Sequence, residues 1–468
     1  MYREQIDAYI DSKKEEMLQD VMKLVRIDSQ RGTDEPGMPF GKGAAMVLDA
    51  AEQMMKAYGL DTRNYEHYVV TGDLGEGEKK LDILAHLDVV PVTDEWTVTK
   101  PFEPLILDGK IYGRGTSDDK GPAIAALYAL RAIRDLKLPL KQRVRLVLGS
   151  DEECGSSDLE YYYSREQEAP CTFTPDGDFP VINLEKARLS REFEADFAPS
   201  SEIPRIEILK AGDKVNVVPA KAEAVFVGLE EEDLKRAADK AAEATDALFV
   251  WTKQEERIHL SVKGTAAHAS TPEAGNNALT ALLYLITLLP IVNCEGYRRL
   301  SALSQMFPHG DTKGEALNVD MEDEESGALT MNLGILDYED GHLKGAFDSR
   351  APLCATDENL TEEMRKAFAN AGLQMEGGKM TPAHHVPANS AFVRTLLESY
   401  ERYTGIKGKP LAIGGGTYVH ELERGVAFGC GVEGVDTHMH GDDEFMEIDT
   451  ILMSAKIFAD VILKLCNE

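Results

Sequence analysis

Apolar residues recur along the chain at two different spacings, which predict helices and strands in alternation. Residues 1–30 carry apolar side chains at helical spacing, which predicts one amphipathic helix. Continuous apolar runs at 80–90 and 144–149 predict buried strands. The Ala-rich stretch at 122–136 predicts a helix with a proline at its start. Strand, helix and strand at this spacing indicate a right-handed crossover within a mostly parallel sheet.

The pattern changes in the middle of the chain. After about residue 185, short apolar runs typical of strands alternate with helices, and these runs lie at 205–209, 223–227, 258–262 and 329–335. The earlier pattern returns after residue 385, with helices predicted at 391–403 and 450–466. The middle of the chain is therefore predicted to form a separate α+β unit.

The predicted fold class is α/β with an insertion. Residues 1–185 and 385–468 together form a domain with a mostly parallel, doubly wound sheet, and residues 186–384 form an inserted α+β domain. A length of 468 residues and a hydrophobic fraction of 43% suit two or three packed domains.

Composition excludes several classes of partner. The chain has 50 Lys and Arg against 82 Asp and Glu, which gives a formal net charge of −32. Nucleic acids and anionic membranes attract basic surfaces, so neither is an expected partner. The longest apolar stretch, at 278–292, is too short to cross a bilayer and is predicted to be a buried helix.

The compartment follows from the cysteines and the first residues. Six cysteines are scattered without a CxxC pair, which favours free thiols in a reducing compartment. The charged first residues lack the apolar core of a signal peptide. We therefore expect a cytoplasmic protein.

Imidazole and carboxylate side chains follow the first predicted strand. His86 and Asp88 are two residues apart, so their side chains point to one side of that strand. Asp118 and Asp119 stand in GRGTSDDKGP, directly before the predicted helix, where glycines allow unusual backbone angles. Each motif alone also fits a simpler role, as a hydrogen-bonded pair or a helix cap.

Further acids and histidines stand at the ends of later elements. Glu152 and Glu153 belong to a run of three acids after the strand at 144–149, and such a run is costly unless a cation neutralises it. Asp176 lies in the turn FTPDGDFP, and His440 lies in THMHGDDEFMEI. This inventory of imidazoles and carboxylates fits two divalent metal ions that share one bridging carboxylate.

The order of these motifs resembles that of the two-zinc exopeptidase family. The chain reads H-x-D, G-R-G-x-x-D-D-K-G, D-E-E, P-D-G, G-x-x-A-H-A-S-x-P-E-x-G-x-N-A and H-x-x-x-E in order. This family includes aminoacylases, acetylornithine deacetylases, succinyl-diaminopimelate desuccinylases, glutamate carboxypeptidases and bacterial dipeptidases. The chain length and the long insert are most similar to the peptidase V (carnosinase-like) dipeptidases.

The resemblance implies a catalytic domain of the zinc-exopeptidase type and a set of metal ligands. The ligands would be His86, Asp118, Glu153, Asp176 and His440, with Asp118 as the bridge. The resemblance would place His86 and Asp176 on opposite ions, or more specifically His86 with Glu153 and Asp176 with His440, and the exact pairing stays open. The ions would be zinc, with manganese or cobalt as alternatives, because His and carboxylate ligands accept each of these metals.

The resemblance also implies catalytic groups. Asp88 would orient the His86 imidazole, and Glu152 would act first as general base and then as general acid. The inserted domain would be a lid, from which His268 would stabilise the oxyanion.

Four further residues match positions that bind substrate in the family. Asn216 in KVNVVP and Arg350 in FDSRAP would grip the terminal carboxylate, and a guanidinium suits that task by its two-pronged geometry. Gly415 and Thr417 stand in GGGTYVH, a loop that would line the substrate end of the cleft. The expected partner is a small peptide, and the long insert favours a monomer.

These inferences predict a metal-dependent dipeptidase that cleaves dipeptides with a free amino terminus. A deacylase of N-acyl amino acids is an alternative, because both substrates carry the carboxylate that Arg350 and Asn216 would bind. A catalytically silent relative that binds peptides or metal is a second alternative, although Glu152 and every ligand are present.

Overall fold

A computed structural model describes residues 2–467 of the chain. These residues form two compact units. The first contains the residues up to Leu184, His384–Leu411 and the residues from Gly416 onward. The second contains Glu185–Ala383 and Ala412–Gly415, so it is inserted into the sequence of the first.

Helices and strands alternate in the chain before the insertion. In chain order they are α1 (Arg3–Ser12), α2 (Lys14–Val25), α3 (Lys42–Ala57), β1 (Asp61–Tyr65), β2 (Val69–Leu74), β3 (Lys79–His86), β4 (Leu105–Leu107), β5 (Lys110–Tyr112), α4 (Lys120–Asp135), β6 (Arg143–Gly149), α5 (Ser157–Tyr163), β7 (Cys171–Thr174) and β8 (Ile182–Glu185).

Strands are longer and more frequent in the middle of the chain. They and the intervening helices are β9 (Ala187–Asp196), β10 (Arg205–Ala211), β11 (Lys221–Val227), α6 (Glu231–Thr245), β12 (Leu248–Gln254), β13 (Arg257–Lys263), α7 (Ala278–Leu288), α8 (Glu295–Met306), β14 (Glu322–Asp323), β15 (Gly327–Ala328), β16 (Thr330–Glu339), β17 (His342–Ala351), α9 (Glu362–Asn370) and β18 (Gln374–Met375).

The last part of the chain returns to mixed elements. They are β19 (His384–His385), α10 (Ala391–Thr404), β20 (Leu411–Ile413), β21 (Gly425–Ala427), β22 (Phe445–Glu447) and α11 (Ile448–Leu465).

The sheet of the first unit is parallel at its centre. Its strands lie in the order β1-β2-β6-β3-β7-β21-β8-β19. The pairs β6–β3, β3–β7 and β7–β21 are parallel, whereas β1–β2, β2–β6 and β21–β8 are antiparallel. The predicted α/β class is confirmed, and two of the parallel strands, β3 and β6, lie in the predicted continuous apolar runs, as burial on both faces requires.

Both faces of this central sheet are covered. Ile83 and Ala85 of β3 lie in one core cluster with α4 and α11, while Leu84 lies in a second cluster with Leu159 and Tyr162 of α5. Successive side chains of a strand point to opposite faces, so a continuous apolar run is the expected pattern here.

The N-terminal helix is interrupted, and the prediction of one helix over residues 1–30 is wrong. α1 ends at Ser12 and α2 begins at Lys14, with Lys13 between them at φ −100° and ψ 3°. The Ser12 hydroxyl donates to the Tyr9 carbonyl at 2.6 Å, and such local bonds compete with the helical backbone pattern. Ile10 and Met17 are buried on either side of the break, so the apolar spacing continues where the backbone does not.

The second unit is built on an antiparallel sheet. Its strands lie in the order β12-β13-β11-β10-β16-β17-β9-β18. Helix α7 packs against β11, β13 and β16 and is buried along most of its length, which agrees with the buried helix predicted at 278–292. In the part of the chain that the structure describes, we find no helix with the length and apolar character of a membrane span.

Candidate metal centre

Three parallel strands of the first unit end beside one another and carry candidate ligands. β3 ends at His86, which lies level with Gly149 at the end of β6. The chain continues from β6 into the short 3-10 helix Glu152–Cys154, and it continues from β7 to Asp176. The carboxyl edge of a parallel sheet is where active sites form, because loops from several strands converge there.

A smaller sheet brings Asp118 and His440 together. β22 pairs with β5, so that Phe445 lies opposite Tyr112. The turn after β5 carries Asp118, and the segment before β22 carries His440. Pairing of these short strands therefore places two distant parts of the sequence at the same edge.

The candidate ligands form two groups that share Asp118. In the first, His86 Nε2 lies 2.8 Å from Asp118 Oδ1 and 3.7 Å from Asp176 Oδ2. In the second, His440 Nε2 lies 2.8 Å from Asp118 Oδ2 and 3.2 Å from Glu153 Oε1. Ligand atoms within each group lie within 4.8 Å of one another, a spacing that suits a metal ion. One oxygen of Asp118 faces each group, as a bridging carboxylate requires.

A third group overlaps the first two. His86, Glu152 and Glu153 also offer ligand atoms within 4.8 Å of one another. The two groups around Asp118 place His86 with Asp176, and Glu153 with His440. This grouping keeps Asp118 in both groups and differs from the pairings that the resemblance named, which separate His86 from Asp176.

The tautomer of His86 suits a cation. Its Nδ1 lies 3.2 Å from the carbonyl oxygen of Asp88, which can only accept a hydrogen bond, so Nδ1 carries the hydrogen. Nε2 is buried and, among the described residues, meets no partner at hydrogen-bonding angles, although Asp118 Oδ1 is close. A buried imidazole with its second nitrogen fixed in this way is the usual arrangement of a metal ligand.

Crowded negative charge shifts the pKa values of the acids. Burial raises the pKa of Glu152 well above its usual value, and the charges of Asp176 and Glu153 add to this effect. Burial and the charge of Asp118 likewise raise the pKa values of Asp176 and Glu153. Burial also opposes ionisation of Asp118, but hydrogen bonds with His440 and His86 hold the pKa of Asp118 well below its usual range. Divalent cations would offset this excess of buried carboxylate.

Neighbouring carboxylates raise the pKa values of both imidazoles. Hydrogen bonds to Asp118 and Glu153 raise the pKa of His440 to about 10. Burial alone would lower the pKa of His86, but the carboxylates of Asp118, Asp176 and Asp88 raise it well above its usual value.

Asp88 contacts the turn that carries Glu152 as well as His86. Its Oδ1 lies 3.4 Å from His86 Nδ1. Its two carboxylate oxygens accept the backbone N–H groups of Glu152 and Glu153 at 3.2 and 3.1 Å. The Asp88 side chain is 1% exposed. Its two hydrogen bonds fix the backbone at the start of the short helix.

Further residues, not predicted from sequence, support this turn. Buried Asp158 accepts the N–H groups of Ser150 and Asp151 at 2.6 and 3.0 Å and also the hydroxyl of Tyr418. Burial and the charge of Asp88 raise the pKa of Asp158 to about 7. The Tyr418 ring meets the His86 ring edge-on at 5.9 Å. Tyr418 follows Thr417 in the glycine-rich loop, so that loop packs against the candidate ligand His86.

The second unit brings its own candidate residues together. Val217 and His268 form an antiparallel bridge, and the Asn216 carbonyl accepts the N–H of Ala269 at 2.9 Å. Arg350 donates to the carbonyl of Gly414, the residue before Gly415. Asn216, His268, Gly415 and Arg350 all belong to this unit, whereas Thr417 belongs to the first.

Arg350 forms hydrogen bonds within its own unit that the sequence does not predict. Its Nε and a terminal nitrogen donate to the two carboxylate oxygens of Asp348 at 2.7 and 3.2 Å. Asp348 is 1% exposed and Arg350 is 5% exposed. This pair therefore stabilises the unit, whatever Arg350 does toward substrate.

We expect Arg350→Ala to lower the free energy of unfolding by about 3–5 kcal/mol, because it leaves the buried Asp348 carboxylate without its partner. Urea denaturation measures the loss. Arg365→Ala is the matched control, because Arg365 pairs with Glu362 on the surface and such pairs contribute about 1 kcal/mol or less. Equal stabilities of the two variants would contradict a structural role for the buried pair.

Comparison with known proteins identifies the family. A family model described as Peptidase family M20/M25/M40 matches residues 83–464. The chain belongs to this family. The resemblance to the two-zinc exopeptidases is thereby confirmed, and the protein is a hydrolase of a metallopeptidase family.

Similarity to M20 relatives extends over the full chain. The putative dipeptidase YtjP of Bacillus subtilis is 34% identical over 461 residues, which cover 97% of this chain and 98% of that protein. The Beta-Ala-Xaa dipeptidase of Lactobacillus delbrueckii subsp. lactis is 31% identical over 464 residues, covering 98% and 97%. The crystal structure of human carnosine dipeptidase 1 has the same fold, with a TM-score of 0.59, 17% identity and coverage of 100% and 99%.

Proposed function

We propose that this M20 peptidase is a dipeptidase that hydrolyses the peptide bond of dipeptides with a free amino terminus. The observation that carries this choice is the similarity over nearly the whole chain to proteins named as dipeptidases, one of them a Beta-Ala-Xaa dipeptidase. The ligand groups around Asp118 support the hydrolytic chemistry.

We propose that the first unit holds two divalent ions, zinc in the first instance. His86 and Asp176 would hold one ion, Glu153 and His440 the other, and Asp118 would hold both. When bound, such ions polarise a carbonyl group and acidify water. Imidazole and carboxylate ligands also accept manganese and cobalt, so reconstitution with each metal decides the identity.

Glu152 would carry the proton through the reaction. Its carboxylate accepts a proton from water and then delivers it to the amine that leaves when the peptide bond breaks. Burial and the neighbouring acids raise the pKa of Glu152, which makes it a stronger base than an ordinary carboxylate and supports this role. Asp88 would position Glu152 through the backbone bond at 3.2 Å.

Residues of the second unit would contact the substrate at its scissile carbonyl and at its terminal carboxylate. We propose that His268 stabilises the oxyanion, as the family motif implies, and that Asn216 and Arg350 bind the terminal carboxylate. The donors of Arg350 that are not bound to Asp348 or to the Gly414 carbonyl would serve this purpose. Gly415 and Thr417 would line the same end of the substrate. Location in the cytoplasm and a monomeric state stay predictions.

A turnover panel on metal-restored protein tests the proposal. Free dipeptides, including Xaa-His and β-Ala-His, are compared with N-acetyl and N-succinyl amino acids and with tripeptides. The proposal expects the highest kcat/KM on free dipeptides. Equal or higher values on the acylated substrates would overturn it and establish a deacylase instead.

We expect metal binding to release protons and to strengthen as pH rises. The pKa of His440 is raised to about 10, so its imidazole holds a proton that a cation must displace. The apparent affinity for Zn²⁺ should therefore increase by about tenfold per pH unit for each proton displaced. Calorimetric titrations in buffers of different ionisation enthalpy count the protons. Affinity that stays constant between pH 6 and about pH 8 would contradict this linkage.

A further inference from the structure

A buried ion pair lies beside the ligand groups and has no part in the chemistry proposed above. Arg114 Nη1 donates to Glu444 Oε2 at 2.8 Å, and the two residues are 2% and 0% exposed. Removing two charges from water is costly unless further hydrogen bonds satisfy them. The other partners of these side chains therefore reveal what the pair holds in place.

The Glu444 carboxylate is surrounded by the turn that carries Asp118. Both oxygens accept the N–H of Gly115, at 3.1 and 3.0 Å. Oε1 also accepts the N–H groups of Ser117 at 2.8 Å and of Asp118 at 3.2 Å. Gly115 has φ +90°, a value that favours glycine, which lets the backbone curl around the carboxylate. The backbone of the bridging ligand is thus hydrogen-bonded to Glu444 itself.

Arg114 makes the reverse connection. It belongs to the turn before Asp118, and its Nη2 donates to the carbonyl oxygens of His440 at 3.3 Å and Gly441 at 2.9 Å. Arg114 and His440 are 326 positions apart in the sequence. Each ligand-bearing segment therefore holds the backbone of the other through one member of the ion pair.

We propose that Arg114 and Glu444 are positioning residues that couple the Asp118 turn to the His440 segment. One ion can then be surrounded by Asp118, Glu153 and His440 only if Glu444 holds the Asp118 turn and Arg114 holds the His440 segment. This inference rests on the proposed two-ion centre. It predicts that damage to the pair weakens the ion held by His440 more than the ion held by His86, because His86 belongs to the rigid strand β3.

A neighbouring acid offers a matched control. Asp443 accepts the N–H groups of Thr97 and Val98 at 2.9 and 2.8 Å and the Thr97 hydroxyl at 2.6 Å. These bonds fasten the same segment to a loop that carries no candidate ligand. If any anchor of the segment sufficed, Asp443→Asn would act like a change at Glu444.

The test titrates metal-free full-length protein with Co²⁺ and Zn²⁺, following Co²⁺ absorption and heat. Arg114→Lys keeps a cation against Glu444 but loses the fork that reaches the carbonyls of His440 and Gly441. Glu444→Gln keeps the shape and removes the charge. We expect both variants to bind one ion normally and the second about 10- to 100-fold more weakly, the usual effect of groups that orient ligands. Asp443→Asn should bind both ions as the unchanged chain does.

Three outcomes would overturn the inference. Wild-type constants for both ions in Arg114→Lys would do so, as would an equal loss in Asp443→Asn. If Glu444→Gln fails to fold, Arg114→Lys decides alone, because it retains the buried charge balance. An unchanged chain that binds fewer than two ions would remove the two-ion centre together with this inference. A different combination is that the wild-type chain binds two ions and Arg114→Lys binds the second more weakly, while the wild-type chain shows no peptidase turnover. That combination would support the coupling and refute the proposed function.

Discussion

Substitution of Glu152 by Gln is expected to lower kcat on dipeptides by about 10²- to 10⁴-fold, the usual contribution of a general base. The amide keeps the shape of the side chain but cannot accept a proton from water at neutral pH. The N–H of residue 152 still donates to Asp88, so the turn keeps its anchor. Turnover at saturating dipeptide measures the loss of kcat. Elemental analysis measures the metal content separately, and both ions should remain bound.

Glu153→Gln is the matched control for this experiment. It makes the same chemical change at the next residue, but Glu153 Oε1 lies 3.2 Å from His440 Nε2 and belongs to a ligand group with Asp118. This variant should lose one ion. Glu152 also stands in a candidate group with His86 and Glu153. Loss of an ion from Glu152→Gln would therefore mark Glu152 as a ligand, and the general-base assignment would be wrong.

The candidate ligands can be predicted from sequence because they stand in short motifs, some of them beside predicted elements. His86 ends β3 and Glu153 follows β6, two strands with predicted apolar runs, whereas Asp176 follows β7, which was not predicted. The apolar runs themselves predict the parallel centre of the sheet, since strands buried on both faces need continuous apolar sequence. Parallel strands bring their carboxyl ends to one edge, so the motifs converge without further information.

The division of ligands between two groups could not be predicted in this way. It depends on the pairing of β5 with β22, each only three residues long. Periodicity needs a longer window to indicate a strand, so neither element was visible in the pattern. The break at Lys13 was hidden for a related reason, because the apolar spacing continues across it.

The Arg114–Glu444 pair could not be predicted for a different reason. Both residues stand in motifs quoted above, G-R-G and H-x-x-x-E, but the motifs do not show that the two side chains are buried against each other. The contacts of Glu444 come from the backbone N–H groups that the fold turns toward it, which include those of Gly115 and Asp118. Such contacts between distant segments are set by tertiary structure.

Asp118→Asn is expected to remove both metal ions and, with them, turnover. Asp118 Oδ1 lies 2.8 Å from His86 Nε2 and Oδ2 lies 2.8 Å from His440 Nε2, so one carboxylate serves both groups. An amide has the same shape, but it carries no charge and turns an N–H group toward one of the ions. The loss of affinity for each ion should exceed the roughly 10- to 100-fold typical of groups that only orient a ligand. Calorimetric titration with Zn²⁺ measures it.

Asp119→Asn provides the contrast that makes this result interpretable, because the two acids are adjacent, buried and identical in type. Asp119 Oδ2 accepts the N–H of His86 at 3.1 Å, and the residue belongs to none of the ligand groups among the described residues. Burial, with the charge of Asp176, raises the pKa of Asp119 well above its usual value. The amide oxygen of Asn can still accept the N–H of His86, so both ions should remain. If Asp119→Asn loses the ions while Asp118→Asn retains them, the bridge has been assigned to the wrong aspartate.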